Sequence, residues 1–275
     1  MTLPFRFKRL FLPVLLGAAL SAADRTPQTV RTVVQGSGTN ATVTQYLVTL
    51  PHIAYGGPWR TQIVATNTSA VQATLELDFY ADNGSALSVP FNGVSTASTT
   101  LTIPANGQTV IEPDYNTAST AEGWAGLVYT NSGIQVQGLF LWHRTGDPAD
   151  EYTEAAAPII SQASPACVIP LPASTPAYTM PFDETGGRFS GYGFANTTNA
   201  PVTMTLTFYD QSGNALGTYS EQLPAFGHDS FLVRDKLPAA EANGGQKGTM
   251  SLSGAGIVPL GFVFTPYYAF ATWQP

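Results

Sequence analysis

The chain has 275 residues, of which eleven are basic and eighteen are acidic, giving a formal net charge of −7 at pH 7. This acidic balance argues against nucleic acid and anionic membrane surfaces as partners, because both would repel the chain. The single cysteine, Cys167, excludes an intrachain disulfide, so the folded state must depend on its hydrophobic core.

The N-terminus has the pattern of a secretory signal peptide. Three basic residues within positions 6–9 precede an apolar stretch over residues 10–20, and small residues follow at 21–23. The apolar stretch is short for a membrane span, and no later run has that length. We therefore expect residues 1–23 to be cleaved and the protein to be secreted, periplasmic or at the cell surface. Without the three basic residues, eight basic and eighteen acidic residues remain, a net charge of −10.

The rest of the chain contains one stretch twice. Residues 67–87 and residues 196–216 are identical at nine of twenty-one positions at a constant offset of 129. Each reads as a turn, an alternating strand, a glycine turn and the start of a second strand. The similarity continues on both sides, although copy one carries an extra segment at residues 89–100. The sequence therefore predicts two copies of one β domain.

The alternating strand of each copy predicts which side chains are buried. Successive strand side chains point to opposite faces, so the alternation indicates an antiparallel sheet with one apolar and one solvent-facing side. The apolar side comprises Val71, Ala73, Leu75, Leu77, Phe79, Val202, Met204, Leu206 and Phe208. Of these, Leu77, Phe79, Leu206 and Phe208 are predicted to be buried. Glu76 and Asp78 are predicted to be exposed.

These observations predict an all-β fold with two tandem antiparallel β-sandwich domains of immunoglobulin-like architecture after the signal peptide. The Cys-Trp-Cys core of antibody domains is absent, so the likeness is one of architecture. The predicted divisions are a signal peptide at residues 1–23, a flexible lead-in or weak edge strand at 24–40, repeat 1 at 41–158, a junction at 159–168 and repeat 2 at 169–275.

Short motifs punctuate both copies. In copy one they are Gly56-Gly57-Pro58-Trp59-Arg60-Thr61, Asn67-Thr68, Phe79-Tyr80, Gly84, residues 104–107 and Gly123-Trp124-Ala125. Copy two keeps Asn196, Phe208-Tyr209, Gly213 and residues 224–227, but lacks both tryptophans. This set resembles secreted bacterial proteins built from tandem β-sandwich repeats. The resemblance implies the two-domain architecture and no assigned activity.

Three tryptophans have no counterpart in copy two, which suggests a role outside the common fold. They are Trp59, Trp124 and Trp142, facing Arg188, Lys247 and Thr265 in copy two. With His143 and Arg144 they form a candidate ligand site, because an aromatic plate beside polar donors can stack on a sugar and bond its hydroxyls. The alternative is that these rings fill a core or pack copy one against copy two.

An acidic segment at residues 143–154 is the most polar insertion in copy one. Asp147, Asp150 and Glu151, followed by Glu154, supply the carboxylate oxygens that calcium prefers, although the spacing is not that of an EF-hand. A solvated loop is the simpler explanation. His52, His143 and His228 lack partners at the spacing of a local zinc site, so the sequence favours structural or surface roles for them.

The sequence contains no nucleophile elbow, phosphate loop or dinucleotide motif, and we assign no catalytic residues. It favours an exported, non-catalytic module that binds or scaffolds at the cell surface or in an extracellular assembly. Its expected partner is a protein or a polysaccharide, and calcium is the only candidate cofactor. Two alternatives stay open: a secreted polymer hydrolase with its site in the repeat-1 loops, and a carbohydrate-binding module using the repeat-1 tryptophans.

Overall fold

A computed structural model of the protein describes residues 30–34, 42–114, 119–142, 153–157, 177–240, 244–266 and 270–273. Within these residues the fold consists of antiparallel strands in several sheets, which confirms the prediction of an all-β protein. No helix in the described part of the chain is long and apolar enough to cross a membrane.

Copy one and the segment that precedes it contribute eleven of the described strands. They are β1 (Val30–Val34), β2 (Thr42–Tyr55), β3 (Trp59–Asn67), β4 (Ala73–Tyr80), β5 (Val89–Phe91), β6 (Val94–Thr96), β7 (Ser98–Ile103), β8 (Gln108–Ile111), β9 (Ala121–Tyr129), β10 (Ile134–Trp142) and β11 (Thr153–Ala157). One sheet has the order β1-β2-β9-β4-β7 and the other β11-β10-β3-β8. The small hairpin β5-β6 lies in the extra segment at residues 89–100.

Copy two contributes the remaining described strands. They are β12 (Ala177–Asp183), β13 (Phe189–Asn196), β14 (Val202–Asp210), β15 (Ala215–Leu223), β16 (His228–Leu232), β17 (Lys247–Ser253), β18 (Ile257–Phe264) and β19 (Phe270–Trp273). Their two sheets have the orders β12-β17-β14-β15 and β16-β13-β18-β19. A one-turn helix, α1 (Val233–Lys236), and a 3-10 turn (Pro238–Ala240) lie between β16 and β17.

The strand orders of the two copies correspond position by position. The order β2-β9-β4-β7 matches β12-β17-β14-β15, and β11-β10-β3-β8 matches β19-β18-β13-β16. In copy one, β1 is added at the edge of its sheet, beside β2. The signal peptide and the junction at residues 159–168 lie outside the described residues, so the domain boundaries stay a prediction.

The shared asparagine–threonine turn has the same hydrogen bonds in both copies. The Nδ2 atoms of Asn67 and Asn196 donate to the carbonyl four residues later, at 2.7 and 2.8 Å. Their Oδ1 atoms accept from the amide two residues later, at 3.0 Å in each copy. The hydroxyl groups of Thr68 and Thr197 donate to a glycine carbonyl at 2.9 and 2.8 Å. The repeated residues therefore stabilise a common turn.

The core residues follow the predicted alternation along β4 and β14. Leu77, Phe79 and their counterparts in copy two are buried, and Glu76 is exposed. Asp78 is half-buried rather than exposed. Val71, the first apolar residue of the alternation, is 68% exposed because it lies in the turn that precedes β4.

Candidate functional site

The two copies meet through buried side chains, stacked rings and one exposed carboxylate, and we call this set the joint. Its members are His52, Tyr80, Asp82, Trp124 and Phe140 of copy one, and Phe226, His228, Leu260, Phe262 and Phe270 of copy two. Strand β2 of copy one contacts β13, β16 and β18 of copy two, while β9 contacts β16. At one end of the joint, Phe140 packs with Leu260 in a buried cluster that also contains Phe262 and Phe270.

Trp124 is a central contact of the joint and is only 4% exposed. Its indole Nε1 donates to the carbonyl oxygen of Phe226 at 2.7 Å. The indole stacks on Tyr80 with ring centroids 4.4 Å apart, and Tyr80 stacks in turn on Phe226 at 5.4 Å. A buried indole cannot stack on a ligand, so the candidate role of Trp124 in ligand binding is corrected. Trp124 packs copy one against copy two, which was the alternative explanation.

Phe226 adopts a backbone conformation that a phenylalanine rarely occupies. Its φ is 54°, in the left-handed region, where the corresponding residue of copy one is Asn106 with φ 50°. Asparagine tolerates this region far better than a bulky residue. The stack on Tyr80 and the hydrogen bond from Trp124 hold Phe226 in place, which explains why an aromatic residue stands at this corner.

A glycine allows the hairpin turn of copy one to approach the corner of copy two. Gly84 has φ +79°, and a Cβ atom added there would lie 1.9 Å from the carbonyl oxygen of Ala225. The amide of His228 donates to the carbonyl of Asp82 at 3.1 Å in the same contact. The corresponding Gly213 of copy two has φ +83° and nothing within 4 Å of such an atom. The contact is therefore one-sided: the turn of copy one packs on copy two, whereas the matching turn of copy two does not.

A chain of three polar side chains crosses the joint. Asp82 Oδ1 lies 2.7 Å from His228 Nδ1, and His228 Nε2 lies 3.0 Å from His52 Nδ1. The two imidazoles stack at 5.1 Å and are 8% and 2% exposed for His52 and His228. When both imidazoles are neutral, the Asp82 carboxylate accepts a hydrogen bond from His228 Nδ1, so His228 Nε2 has no hydrogen and acts as an acceptor. His52 then donates from Nδ1 to His228 Nε2, and the Nε2 of His52 is left as an acceptor. Burial lowers the pKa of His52 well below its usual range, and repulsion from His228 whenever that imidazole is protonated lowers it further.

A bulge in β2 directs His52 towards copy two. The pairing of β2 with β9 shifts between Leu50 and Ile53, whereas the matching strand of copy two pairs without a shift over Phe182. A bulge of this kind re-aims the side chains around it. Phe182 is accordingly buried in the core of its own copy. On the facing strand, Gly193 provides space for the imidazole, because an added Cβ would lie 2.8 Å from that of His52.

A cleft of about 260 Å³ opens beside the joint, between the two copies. Aromatic side chains form much of its wall, and the polar residues lie among them. The aromatic lining includes Trp59, Tyr192, Phe231, Phe262 and Phe264, and the polar lining includes His52, Glu122, Ser230 and Asp235. Trp59 is half-buried and contacts Phe264 and Phe270 edge to face, at 6.3 and 5.7 Å between centroids.

The polar side chains of the cleft offer hydrogen-bond acceptors. Ser230 donates its hydroxyl hydrogen to Glu122 Oε2 at 2.5 Å, across the two copies. That bond leaves the Ser230 oxygen and the second Glu122 oxygen as acceptors. Asp235, exposed on α1, adds a second carboxylate. His52 contributes its Nε2 acceptor, since its Nδ1 is used by His228. The arrangement can receive donors from a ligand.

Only part of the predicted ligand site lies within the described residues. Trp59 lines the cleft, and Trp142 lies opposite it in the pairing of β10 with β3. His143, Arg144 and the candidate calcium ligands Asp147, Asp150 and Glu151 lie outside the described residues. Across the described ranges, no group of three or more His, Cys, Asp or Glu side chains is placed to hold a metal ion.

Sequence reasoning missed His52 and His228 as partners because they are 176 residues apart. No local spacing could relate them. The only available signal was that neither histidine recurs in the other copy, and this signal applies equally to Trp124. Non-recurrence identified residues with a special role, but it could not distinguish a ligand site from an interface.

Comparison of the chain with protein-family models, curated proteins and solved structures finds no match. The resemblance to secreted tandem-repeat proteins therefore stays a prediction.

Proposed function

We propose that this protein is an exported, non-catalytic binding module whose partner contacts the cleft between the two copies. In this account the joint fixes the copies relative to each other, and the cleft walls come from both of them. The protein then acts at the cell surface or in an extracellular assembly. The hydrolase alternative depends on residues 143–154, of which 143–152 lie outside the described residues, and it stays a hypothesis.

The convergence of unmatched residues at one place is the observation that supports this proposal. Trp59, His52 and Trp124 of copy one have no equivalent in copy two, and His228 has none in copy one. All four lie at the joint or in the cleft beside it. Trp124, His52 and His228 join the two copies, and this junction places Trp59 and His52 in the wall of a cleft that both copies form.

The composition of the cleft supports binding of a partner. Binding sites are commonly concave and mostly apolar, with a few polar groups that orient the ligand. Here Trp59 and Phe264 supply apolar surface, and Glu122 and Asp235 supply charge. A rigid β framework is a suitable support for such a site, because it holds these side chains at fixed positions.

Sedimentation with isolated bacterial cell envelopes tests the proposal. The exported chain should pellet with the envelopes, and Trp59→Ala combined with Glu122→Gln should leave it in the supernatant. Thr205→Ala, on the outer face of copy two, is the matched control and should pellet like the wild type. Wild-type protein that stays in the supernatant, or a cleft variant that pellets normally, would contradict the proposal.

A further inference from the structure

We propose that the ligand of the cleft is an arginine side chain presented by an extracytoplasmic protein. This inference rests on the proposed function and adds the chemical class of the partner. Three observations support it: the hydrogen-bonding character of the cleft, its aromatic walls and its charge.

Four polar side chains of the cleft, Ser230, His52, Glu122 and Asp235, offer hydrogen-bond acceptors. The lining also includes the Trp59 indole and the Tyr192 hydroxyl, which donates its hydrogen to the carbonyl of Pro181. Ser230 uses its hydrogen on Glu122 at 2.5 Å, and His52 uses its Nδ1 hydrogen on His228. The oxygens of Glu122 and Asp235 accept only, as does the second nitrogen of neutral His52. A guanidinium group is the complement, because it carries five donors and no acceptor. A sugar hydroxyl needs acceptors and donors together, so it matches this lining less well.

The aromatic walls favour a planar cation. A guanidinium stacks on aromatic faces while its edge bonds a carboxylate. The chain uses the same combination next to the cleft: Arg234 lies 5.0 Å above the ring of Phe189 and donates from Nε to Glu184 at 3.0 Å. Phe189 stacks in turn on Phe264, which lines the cleft, at 4.7 Å.

The charge of the cleft also favours a cationic ligand. Glu122 and Asp235 line it, and no lysine or arginine is among the described residues that do so. The whole chain has a net charge of −7, so a basic partner is attracted at long range. Arginine is preferred to lysine because lysine is a compact, strongly hydrated charge without a planar face.

Titration of the full exported chain with short blocked peptides tests this inference. The probe is acetyl-Gly-Arg-Gly-amide, and calorimetry together with tryptophan fluorescence measures its binding. The matched peptides replace arginine by citrulline, which keeps the shape without the charge, or by lysine; maltotriose is the neutral sugar probe. We expect the arginine peptide to bind about tenfold more tightly than the citrulline peptide, as for loss of a charged hydrogen bond.

Substitutions in the cleft should reduce this binding selectively. Glu122→Gln keeps the size of the side chain and a carbonyl acceptor for Ser230, and Asp235→Asn is the matching change on α1. Each should weaken the arginine peptide by about tenfold, again the effect of losing one charged partner. Glu76→Gln, an exposed carboxylate on β4, is the control and should bind like the wild type. Thermal unfolding checks that each variant remains folded.

Several results would overturn the inference. Equal binding of the citrulline or lysine peptide would contradict the role of a guanidinium, and weakening by Glu76→Gln would contradict the location. Preference for maltotriose, or the absence of peptide binding by a chain that still pellets with envelopes, would reject arginine while the proposed function survives. Failure of both the titration and the envelope sedimentation would reject the two proposals together.

Discussion

Trp124 of copy one donates a hydrogen bond from its indole Nε1 to the carbonyl oxygen of Phe226 in copy two, at 2.7 Å. The position of copy two that matches Trp124 holds Lys247, and the position of copy one that matches Phe226 holds Asn106. Both residues are exposed. The interface between the copies therefore uses one surface of copy one and a different surface of copy two. At these two positions each copy keeps an exposed polar residue where the other copy makes the contact.

Removing the indole of Trp124 should destabilise the joint. Trp124→Ala should lower the free energy of unfolding by roughly 3–5 kcal/mol, the usual effect of truncating a buried tryptophan. Urea unfolding followed by circular dichroism measures this change. Lys247→Ala, at the matching exposed position of copy two, should change it by less than about 0.5 kcal/mol. Equal effects of the two substitutions would contradict the assignment of Trp124 to the interface.

Two glycines with the same backbone conformation provide a paired test of the contact. Gly84→Ala and Gly213→Ala should each cost about 1 kcal/mol for a side chain in the left-handed region. Gly84→Ala should cost a further ~1–3 kcal/mol, the range for overpacking, because its Cβ would overlap the carbonyl of Ala225. Denaturant unfolding measures both values, and similar losses would show that the turn at residues 82–84 does not pack on copy two.

The stability of the protein should depend on the protonation of His52. Burial lowers its pKa in the folded state, so the unfolded chain binds a proton that the folded chain does not. The free energy of unfolding should therefore fall as the pH decreases below about 6.5, the ordinary pKa of histidine. His52→Phe, which introduces the residue found at the matching position of copy two, should remove this loss.

Other titratable groups lie near His52 and contribute to the same pH dependence of the free energy of unfolding. His228 and, through it, Asp82 face the imidazole, while Glu122 lines the adjoining cleft. Burial raises the pKa of Asp229 to about 6, and the nearby charge of Glu221 raises it as well. The folded chain therefore binds a proton at Asp229 more readily than the unfolded chain, so this group stabilises the folded state as the pH falls and opposes the effect of His52. Comparison with His52→Phe between about pH 7.5 and pH 5 separates the two contributions. Identical pH profiles would contradict the role of His52.

The cores of the two copies should be equally sensitive to truncation. Phe79→Ala and Phe208→Ala should each cost roughly 3–5 kcal/mol, because both rings are buried at matching positions. Glu76→Ala on the exposed face of β4 serves as the control and should cost little. A loss below about 1 kcal/mol for either phenylalanine in urea unfolding would show that its strand faces the other way.

The sequence predicted the strands well because their signals are local. Alternation over Leu77 and Phe79 specifies one buried face, and an Asn-Thr pair with a later glycine specifies the turns. The boundaries were less accurate: Val71 continues the alternation but belongs to the preceding turn. The half-burial of Asp78 likewise depends on neighbours that a single strand does not reveal.

The joint could not be predicted because its contacts depend on how the two copies pack. The bulge that directs His52 outward is a feature of strand pairing, and the position of Phe226 follows from a corner turn. Trp124 was correctly identified as a residue outside the common fold, but the contact it makes is with the other copy. Trp59, a candidate ligand residue from the sequence, lines the cleft, whereas Glu122, Ser230 and Asp235 carried no sequence signal.

Hydrogen exchange of the Trp124 indole N–H tests the central claim most directly. In the full chain, the indole resonance that disappears in Trp124→Phe should exchange slowly, because its donor is buried against Phe226. Gly84→Ala and Gly213→Ala strain the backbone alike, but only the first overlaps copy two, so Gly84→Ala should accelerate this exchange and Gly213→Ala should leave it unchanged. An indole that exchanges in the wild-type chain as rapidly as a solvent-exposed tryptophan would contradict a joint between the two copies.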